Sequence, residues 1–407
     1  MKTTFYCIND RFRIPASVTL FMSQCRAITV CFREFGIKFK FSKFKQFDSR
    51  LTEIKKQLIY SIEDDMKKFF ILVALLIGNC ISSSSQAQNF TVQKYSIGGE
   101  GGTDYLTAEP GTGRVFVSRG SHVMVIDGNT GIVIGDIPAT PNTHGIALVA
   151  KYNHGFTTNG GDSTITMFDL TTLITIKKIK IPAGGQDGIM YDDFSDRIIL
   201  TNHSKPGTVT AVDPNAGVIT GEARLEDNSP EGAASDGKGK LFVNNESKNT
   251  IQVIDAKTMN VLNTWPLDSC KGPTGIAYDR SADRIFSGCS KMSAVVNPGI
   301  GKIVATIPNG LGVDALGWDP SEKLIYIPAG RDSNVTIVHE DSPDRYSVVA
   351  TVTTMTGAKT ISVDPIKHVA YLFQPQYGAP SPNAPLDRNG RRPRGPVIGA
   401  FLIVIKH

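Results

Sequence analysis

The run VTAVDPNAG, residues 209–217, is one of six similar segments along the chain. In each segment, alternating apolar or β-branched residues lead into a polar residue and then a turn. The other five are VMVIDGNTG (123–131), ITMFDLTT (165–172), IQVIDAKTM (251–259), AVVNPGIG (294–301) and VTIVHEDS (335–342). Their polar residues recur every 42 to 44 positions, at Asp127, Asp169, Asp213, Asp255, Asn297 and His339. This constant spacing predicts a repeat protein.

Each repeat contains further strand-like runs ahead of this segment. A second β-rich run precedes it, as in RIILTN (197–202) and KLFVNN (240–245), and a small-residue segment such as DGIMYDD (187–193) precedes that run. Period-2 alternation with frequent turns and no long helical pattern predicts an all-β protein. About four short strands in a repeat of this length are typical of a β-propeller blade, because one such sheet cannot bury both of its faces alone.

The chain ends predict seven blades and a closed ring. A seventh unit begins at Lys359 with KTISVDPIKHVAYLF and resumes, after an insertion, with PVIGAFLIVIKH, but it lacks its own outer strand. The segment FTVQKYSI (90–97) resembles the outer strands of other blades. We therefore expect it to complete blade seven and cover that sheet edge.

A leader-like segment lies inside the chain, at MKKFFILVALLIGNC (66–80) followed by ISSSSQAQ. Two lysines, an apolar run and small polar residues follow the order of a secretory signal peptide. The apolar run is too short for a membrane span of about 20 residues. We expect residues 66–87 to be a signal peptide, with cleavage after Ala87, and residues 1–65 to be an upstream extension outside the mature protein. A lipid anchor on Cys80 is disfavoured by Asn79.

Removal of that leader would change the charge of the protein. The full chain carries 43 Lys and Arg against 38 Asp and Glu, a formal net charge of +5. Residues 1–87 hold 14 of the basic and 7 of the acidic residues, which leaves 29 against 31, a net of −2. A strongly basic, nucleic-acid-binding protein is therefore not expected.

Several phrases resemble a known family. GPTGIAYDRSADRIFSGCSK (272–291), GVDALGWDP (312–320) and TIVHEDSPDRYSVVATV (336–352) resemble the YncE-like, YVTN-type β-propellers that many bacteria export. The similarity extends over nearly all of residues 90–407, although the Tyr-Val-Thr-Asn fingerprint is degenerate here. The resemblance implies a seven-bladed, periplasmic or secreted propeller without an assigned reaction.

Two sets of loops in such a fold share one face. The loops that enter the innermost strands would place these residues around the mouth of the central channel: Asp104, His144, Asp187, Glu231, Thr274, Asp314 and Lys359. The loops between second and third strands would add Arg119, Asp162, His203, Glu246 and Arg331. Convergence of polar side chains on one concavity predicts a ligand-binding site. Alternatively, these side chains hydrogen-bond neighbouring blades and fill the channel with water.

The acidic residues of the mouth leave other chemistries open. Asp187, Glu231 and Asp314 with His144 could hold Ca²⁺ or a transition metal, although no short-range ligand motif occurs. The same four residues could serve acid–base catalysis in a lactonase-like hydrolase or lyase. No nucleophile motif such as G-x-S-x-G is present in the sequence.

Two cysteines remain in the predicted mature chain, Cys270 and Cys289. Cys270 precedes the innermost strand of blade five and Cys289 ends its second strand, so both should lie toward the same face. With export, a structural disulfide is expected. Two buried thiols or a redox pair are the alternatives.

Blade seven carries an irregular segment, QPQYGAPSPNAPLDRNGRRPRG (374–395). Its proline content and charge predict an extended or disordered loop. Its arginines are Arg388, Arg391, Arg392 and Arg394. We expect either a cationic flap over the acidic mouth, a docking element for an anionic partner, or a solvated insertion.

The sequence thus predicts a monomeric, exported propeller that acts as a binding scaffold in the cell envelope. An envelope protein or a small ligand is the expected partner, and no cofactor, nucleic acid or transmembrane segment is expected in the mature chain. A hydrolase or lyase acting at the channel mouth is the alternative.

Overall fold

The computed structural model describes residues 89–386, 390 and 392–407. The predicted upstream extension (1–65), the predicted signal peptide (66–87), Arg388 and Arg391 lie outside the described residues. In the part that is described, no helix has the length and hydropathy of a membrane span. The helical content of that part is one 3₁₀ turn, Ala150–Tyr152.

Seven four-stranded antiparallel sheets form the seven predicted blades. Blade one comprises β2 (Leu106–Ala108), β3 (Arg114–Ser118), β4 (Val123–Asp127) and β5 (Val133–Ile137). Blade two comprises β6 (Thr143–Val149), β7 (His154–Asn159), β8 (Thr164–Asp169) and β9 (Thr175–Lys180). Blade three comprises β10 (Gln186–Asp192), β11 (Arg197–Asn202), β12 (Thr208–Asp213) and β13 (Val218–Arg224). Blades four and five comprise β14 (Pro230–Ser235), β15 (Lys240–Asn245), β16 (Thr250–Asp255), β17 (Val261–Pro266); and β18 (Ile276–Asp279), β19 (Arg284–Ser287), β20 (Met292–Asn297), β21 (Lys302–Pro308). Blades six and seven comprise β22 (Gly317–Asp319), β23 (Leu324–Ala329), β24 (Asn334–Ser342), β25 (Arg345–Thr353); and β26 (Ser362–Asp364), β27 (Val369–Tyr377), β28 (Val397–Lys406), β1 (Thr91–Ser96).

The ring is closed as the sequence predicted. Strand β1 pairs antiparallel with β28, in a register that runs from Thr91 opposite Lys406 to Ser96 opposite Phe401. The first strand of the propeller therefore supplies the outer edge of the last blade, and the two ends of the propeller are tied by main-chain hydrogen bonds. An all-β, seven-bladed propeller closed by its N-terminal strand is confirmed.

The core consists of seven apolar clusters, one between each pair of neighbouring blades. The middle strands contribute to two clusters at once because successive side chains of a strand point to opposite faces. In β3, Val115 and Val117 face blade seven, whereas Phe116 faces blade two, and all three are fully buried. This two-sided burial explains why the second and third strands read as nearly continuous apolar runs.

The recurring polar residue that marks each repeat caps a turn. The side-chain oxygen of Asp213 accepts the backbone N–H groups of Asn215 and Ala216, each at 2.8 Å. Equivalent turns form at Asp127, Asp169, Asp255 and Asn297. His339 is the exception, since the β24–β25 hairpin extends past it and its ring contacts Asp341 instead. The periodic residue is therefore a structural feature of the hairpin between third and fourth strands.

The two cysteines lie together in the core between blades four and five. Their Cα atoms are 5.5 Å apart, a separation at which a disulfide forms readily. Both side chains are buried. The fold thus permits the predicted Cys270–Cys289 disulfide.

Candidate functional site

The innermost strands begin close together at the hub of the propeller, and glycine makes this approach possible. Gly188 and Gly232 directly follow Asp187 and Glu231. A Cβ atom at Gly188 would lie 3.1 Å from the Glu231 carbonyl oxygen, and one at Gly232 would lie 2.9 Å from the Thr274 carbonyl oxygen. Adjacent blades therefore meet backbone to backbone, which brings the residues just before these glycines to the axis.

A cavity of about 310 Å³ opens at this end of the hub. Its volume suits a small ligand. Seven of the residues predicted for the channel mouth line it: Asp104, His144, Asp187, His203, Glu231, Asp314 and Lys359. Six of the seven blades contribute, so residues distant in the chain share one concavity.

A carboxylate–imidazole chain spans blades one to three. The Nδ1 atom of His144 lies 2.6 Å from Oδ2 of Asp104 and 3.3 Å from Oδ1 of Asp187. The Asn142 amide nitrogen lies 2.9 Å from the other ring nitrogen. The 2.6 Å contact is a charge-assisted hydrogen bond from His144 to Asp104. Burial lowers the pKa of His144, but its contacts with Asp104 and Asp187 outweigh burial and raise the pKa overall.

The second imidazole contacts two buried carboxylates. Nε2 of His203 lies 3.3 Å from Oδ2 of Asp187 and 3.4 Å from Oε1 of Glu231. It is also 3.0 Å from the Pro230 carbonyl oxygen. Asp187 is 8% and Glu231 7% exposed, so this negative charge lies largely out of water. One carboxylate oxygen of Asp187 faces His144 and the other faces His203, so Asp187 lies between the two imidazoles.

A lysine neutralises the opposite side of the cavity. The Nζ atom of Lys359 forms an ion pair with Asp314 and lies 3.6 Å from Oδ1 of Asp104. Burial raises the pKa of Asp104, yet the His144 hydrogen bond and the Lys359 charge more than offset it, so the pKa is lowered. In Asp314 burial dominates and raises the pKa despite Lys359. Asp104 and Asp314 thus have cationic partners.

Proton affinities at the shared carboxylate are strongly shifted. Burial, and then the charges of Glu231 and Asp104, raise the pKa of Asp187 to about 7. The contact with Glu231 raises the pKa of His203 to about 9, against an opposing effect of burial. Shifts of this size in a concavity are typical of functional sites, because functional groups need pKa values matched to their task.

Five lining residues were missed by the sequence reasoning: Tyr105, Asn142, Gly160, Gly185 and Gln186. Tyr105 occupies the position at which blades two to five carry glycine, and burial followed by the nearby acids raises its pKa well above its usual value. Gln186 precedes Asp187, is 1% exposed and has no hydrogen-bond partner for either amide atom among the described residues. An alignment of the repeats places Asp104 with the residues before the glycines and Tyr105 at the glycine position itself, so it would have identified Tyr105. No comparable sequence signal marks Gln186.

The other predicted mouth residues do not line the cavity. Arg331 and Glu246 are exposed, and Asp162 pairs with Lys178 at 3.3 Å. Thr274 is buried, and its hydroxyl donates to the Val313 carbonyl oxygen at 3.2 Å. Arg119 is fully buried. Its guanidinium donates to carbonyl oxygens of the glycine-rich segment 98–102, including Gly101 at 2.9 Å.

The predicted irregular segment of blade seven is shorter than expected. Strand β27 continues through Tyr377, so residues 374–377 are paired with β28 instead of lying in the loop. Arg394 stacks over the Tyr377 ring, 4.9 Å from its centroid. Arg392 is exposed, and none of the loop residues that the structure describes lines the cavity.

Comparison with solved structures identifies the same architecture in proteins of very different sequence. A chain of Kuenenia stuttgartiensis hydrazine synthase is 17% identical, with a TM-score of 0.60 over 68% of this chain and 93% of that one. The RRP9 WD40 repeats are 10% identical, with a TM-score of 0.64 over 78% of this chain and all of that one. A chain of the mitotic checkpoint complex is 15% identical, with a TM-score of 0.61 over 72% and 91%. No protein-family model and no curated protein matches the sequence. These similarities show the fold alone.

Proposed function

We propose that this chain is a ligand-binding scaffold and that the axial cavity is its binding site. The observation that carries this proposal is the convergence of side chains from six blades on one cavity of about 310 Å³. Of its four carboxylates, Asp104 and Asp314 are paired with His144 and Lys359. Asp187 and Glu231 share one imidazole, that of His203. When Asp187 is ionised, the cavity therefore holds one buried negative charge more than its cations, which favours a small cationic ligand.

The resemblance to YncE-like propellers and the leader-like segment at 66–80 support an exported protein of the cell envelope. In this setting the rigid ring presents one preformed concavity, which binds with little loss of conformational entropy. The scaffold itself catalyses no reaction in this proposal. The arginine-containing loop would contribute a separate docking element for an anionic envelope protein.

A thermal-shift screen with divalent cations, small amines and lactones tests the cavity. A ligand that binds there should raise the Tm of the full chain, and Glu231→Gln should abolish that shift. Asp162→Asn is the matched control, because Asp162 pairs with Lys178 outside the cavity. A shift that both variants retain, or the absence of any stabilising ligand, would refute the proposed site.

The docking role of the loop has its own test. Deletion of residues 379–394 should reduce capture of an envelope partner while leaving the ligand-induced thermal shift intact. Unchanged capture would end this part of the proposal.

A hydrolase or lyase is the second candidate, favoured by one observation. Asp187, with its pKa raised to about 7, lies between two imidazoles at 3.3 Å, an arrangement suited to proton transfer near neutral pH. Hydrolysis of a lactone by the full chain, lost on Asp187→Asn substitution, would favour the enzyme over the scaffold.

A further inference from the structure

The acids and histidines of the cavity divide into two groups with different geometry. In the first group, Nδ1 of His144 donates a charge-assisted hydrogen bond to Oδ2 of Asp104 at 2.6 Å. In the second group, formed by Asp187, His203 and Glu231, the contacts are 3.3 and 3.4 Å. Charge-assisted hydrogen bonds between nitrogen and oxygen are about 2.7–2.9 Å long. The second group is therefore too widely spaced to be joined by hydrogen bonds of this kind.

This spacing fits atoms that share a metal ion. Metal–ligand bonds of about 2.1 Å in tetrahedral geometry place neighbouring donor atoms about 3.4 Å apart. The Nε2 atom of His203 lies at 3.3 Å and 3.4 Å from carboxylate oxygens of Asp187 and Glu231. All three donor atoms lie within 4.8 Å of one another.

Burial supplies an independent reason for a ligand at this point. Asp187 and Glu231 are more than nine-tenths buried, and among described residues their side chains have only histidine nitrogens within ion-pair distance. Gln186 lines the same cavity, is 1% exposed and leaves both amide atoms without a partner. Buried polar groups without partners are costly, and a single imidazole between two carboxylates leaves negative charge that a bound divalent cation would compensate.

We propose that Asp187, His203 and Glu231 bind one divalent transition-metal ion. The proposal rests on the proposed binding function of the cavity and names its ligand. Two carboxylates balance the charge of the ion, and the imidazole favours Zn²⁺ or a similar first-row ion over Mg²⁺ and Ca²⁺. On binding, His203 releases its Nε2 proton to solvent, and any proton held by Asp187 is released as well. The 3.0 Å contact of His203 with the Pro230 carbonyl oxygen is then no longer a hydrogen bond.

The first group acts as the outer support of this site. Nδ1 of His144 lies 3.3 Å from Oδ1 of Asp187, and the other oxygen of that carboxylate, Oδ2, faces His203. Asp104 in turn orients His144 through the 2.6 Å hydrogen bond. Groups that orient a ligand in this way typically change metal affinity by about 10–100-fold when they are removed. His144 is therefore a positioning residue.

Titration of the tag-free, chelator-treated full chain with Zn²⁺ alone tests the proposal. Calorimetry should show one Zn²⁺ ion bound per chain, and elemental analysis of the protein after gel filtration should find one zinc per chain. His203→Gln should weaken Zn²⁺ binding by at least about 100-fold and His144→Gln by about 10–100-fold. His339→Gln, which alters a histidine paired with Asp341 on the blade-six hairpin, should leave affinity unchanged. Mg²⁺ should not compete at equal concentration.

Loss of binding through misfolding is distinguished by a spectroscopic measurement on the native chain. Co²⁺ bound to the unsubstituted protein should show visible ligand-field absorption that Zn²⁺ abolishes. Failure of the native chain to bind either ion, or equal affinity in the His203 and His339 variants, would overturn the metal site. After such a result, a small organic cation that still produced a thermal shift abolished by Glu231→Gln would show that the binding function stands and that only the metal inference has failed.

Discussion

Replacement of Asp187 by asparagine should stabilise the metal-free protein at alkaline pH, although it damages the proposed site. The carboxyl has a pKa of about 7 in the folded chain against an ordinary value of 3.8. Because the pKa is raised, the folded state favours the protonated form. The stabilisation from the protonated carboxyl is fully present below the ordinary pKa of 3.8 and is lost as the pH rises through about 7.

The magnitude follows from the shift. About three pKa units correspond to about 4 kcal/mol at 1.36 kcal/mol per unit. This shift is already net of the attraction of Asp187 to His144 and His203, at 3.3 Å each. Screening and relaxation around the ionised carboxylate reduce this cost, and we expect about half of it, a gain of about 2 kcal/mol, for asparagine at pH 8. With an unfolding entropy of about 2.1 cal/mol/K per residue, this gain raises the Tm by about 3 °C.

Urea and thermal unfolding at pH 5 and pH 8, with a chelator present, measure this effect. At pH 5, about one unit above the ordinary pKa, the gain should be less than half of its value at pH 8. The other titratable groups that face Asp187 are Asp104, His144, His203 and Glu231, and they are the same in both proteins. Asp162→Asn, a change at an exposed ion pair, should show no such growth. A variant at Asp187 that is less stable than the parent at pH 8 would refute the reasoning.

Two further predictions concern residues outside the cavity. Mass analysis after alkylation under non-reducing conditions should show no alkyl group on Cys270 or Cys289. Cys270→Ser should lower the free energy of unfolding by about 3 kcal/mol, the value for a disulfide loop of this length. Free thiols in the native protein would contradict both expectations. Burial and then Asp279 raise the pKa of Glu340 to about 7, so its stabilising protonated form is lost as pH rises through that value. Glu340→Gln should therefore gain about 1 kcal/mol over the parent between pH 5 and pH 8, after allowance for solvent screening. If the free energies of unfolding in urea changed with pH in the same way for the two proteins, the Glu340 carboxyl would be excluded as a source of pH-dependent stability.

The regular part of the site was predictable because it depends on the repeat. His144, Asp187 and Glu231 each precede a glycine that lets neighbouring inner strands meet at the hub. A sequence repeat places such positions at equivalent points around the axis, whatever the side chain. Tyr105 breaks this rule at blade one, which explains why it was overlooked.

The loops after the second strands were less predictable. Of five candidate residues only His203 lines the cavity. Arg119 holds an equivalent position, yet it turns to the carbonyl oxygens of segment 98–102, which only the closed ring brings beside it. A long side chain has several conformations of similar energy, and local sequence does not choose among them.

By itself, the sequence determined the number of blades, their strand order and the closure of the ring. The blade number and strand order follow from the hydrophobic period of the strands and from the polar residue that recurs in blades one to six. Ring closure follows from the outer strand that the seventh unit lacks and that the segment 90–97 resembles. The tertiary structure decided which polar side chains have partners. Lys359 neutralises Asp314, and His144 bonds Asp104, whereas Asp187 and Glu231 remain spaced around His203. Electrostatic pairing depends on distances of a few ångströms between blades, and only the packed ring sets those distances.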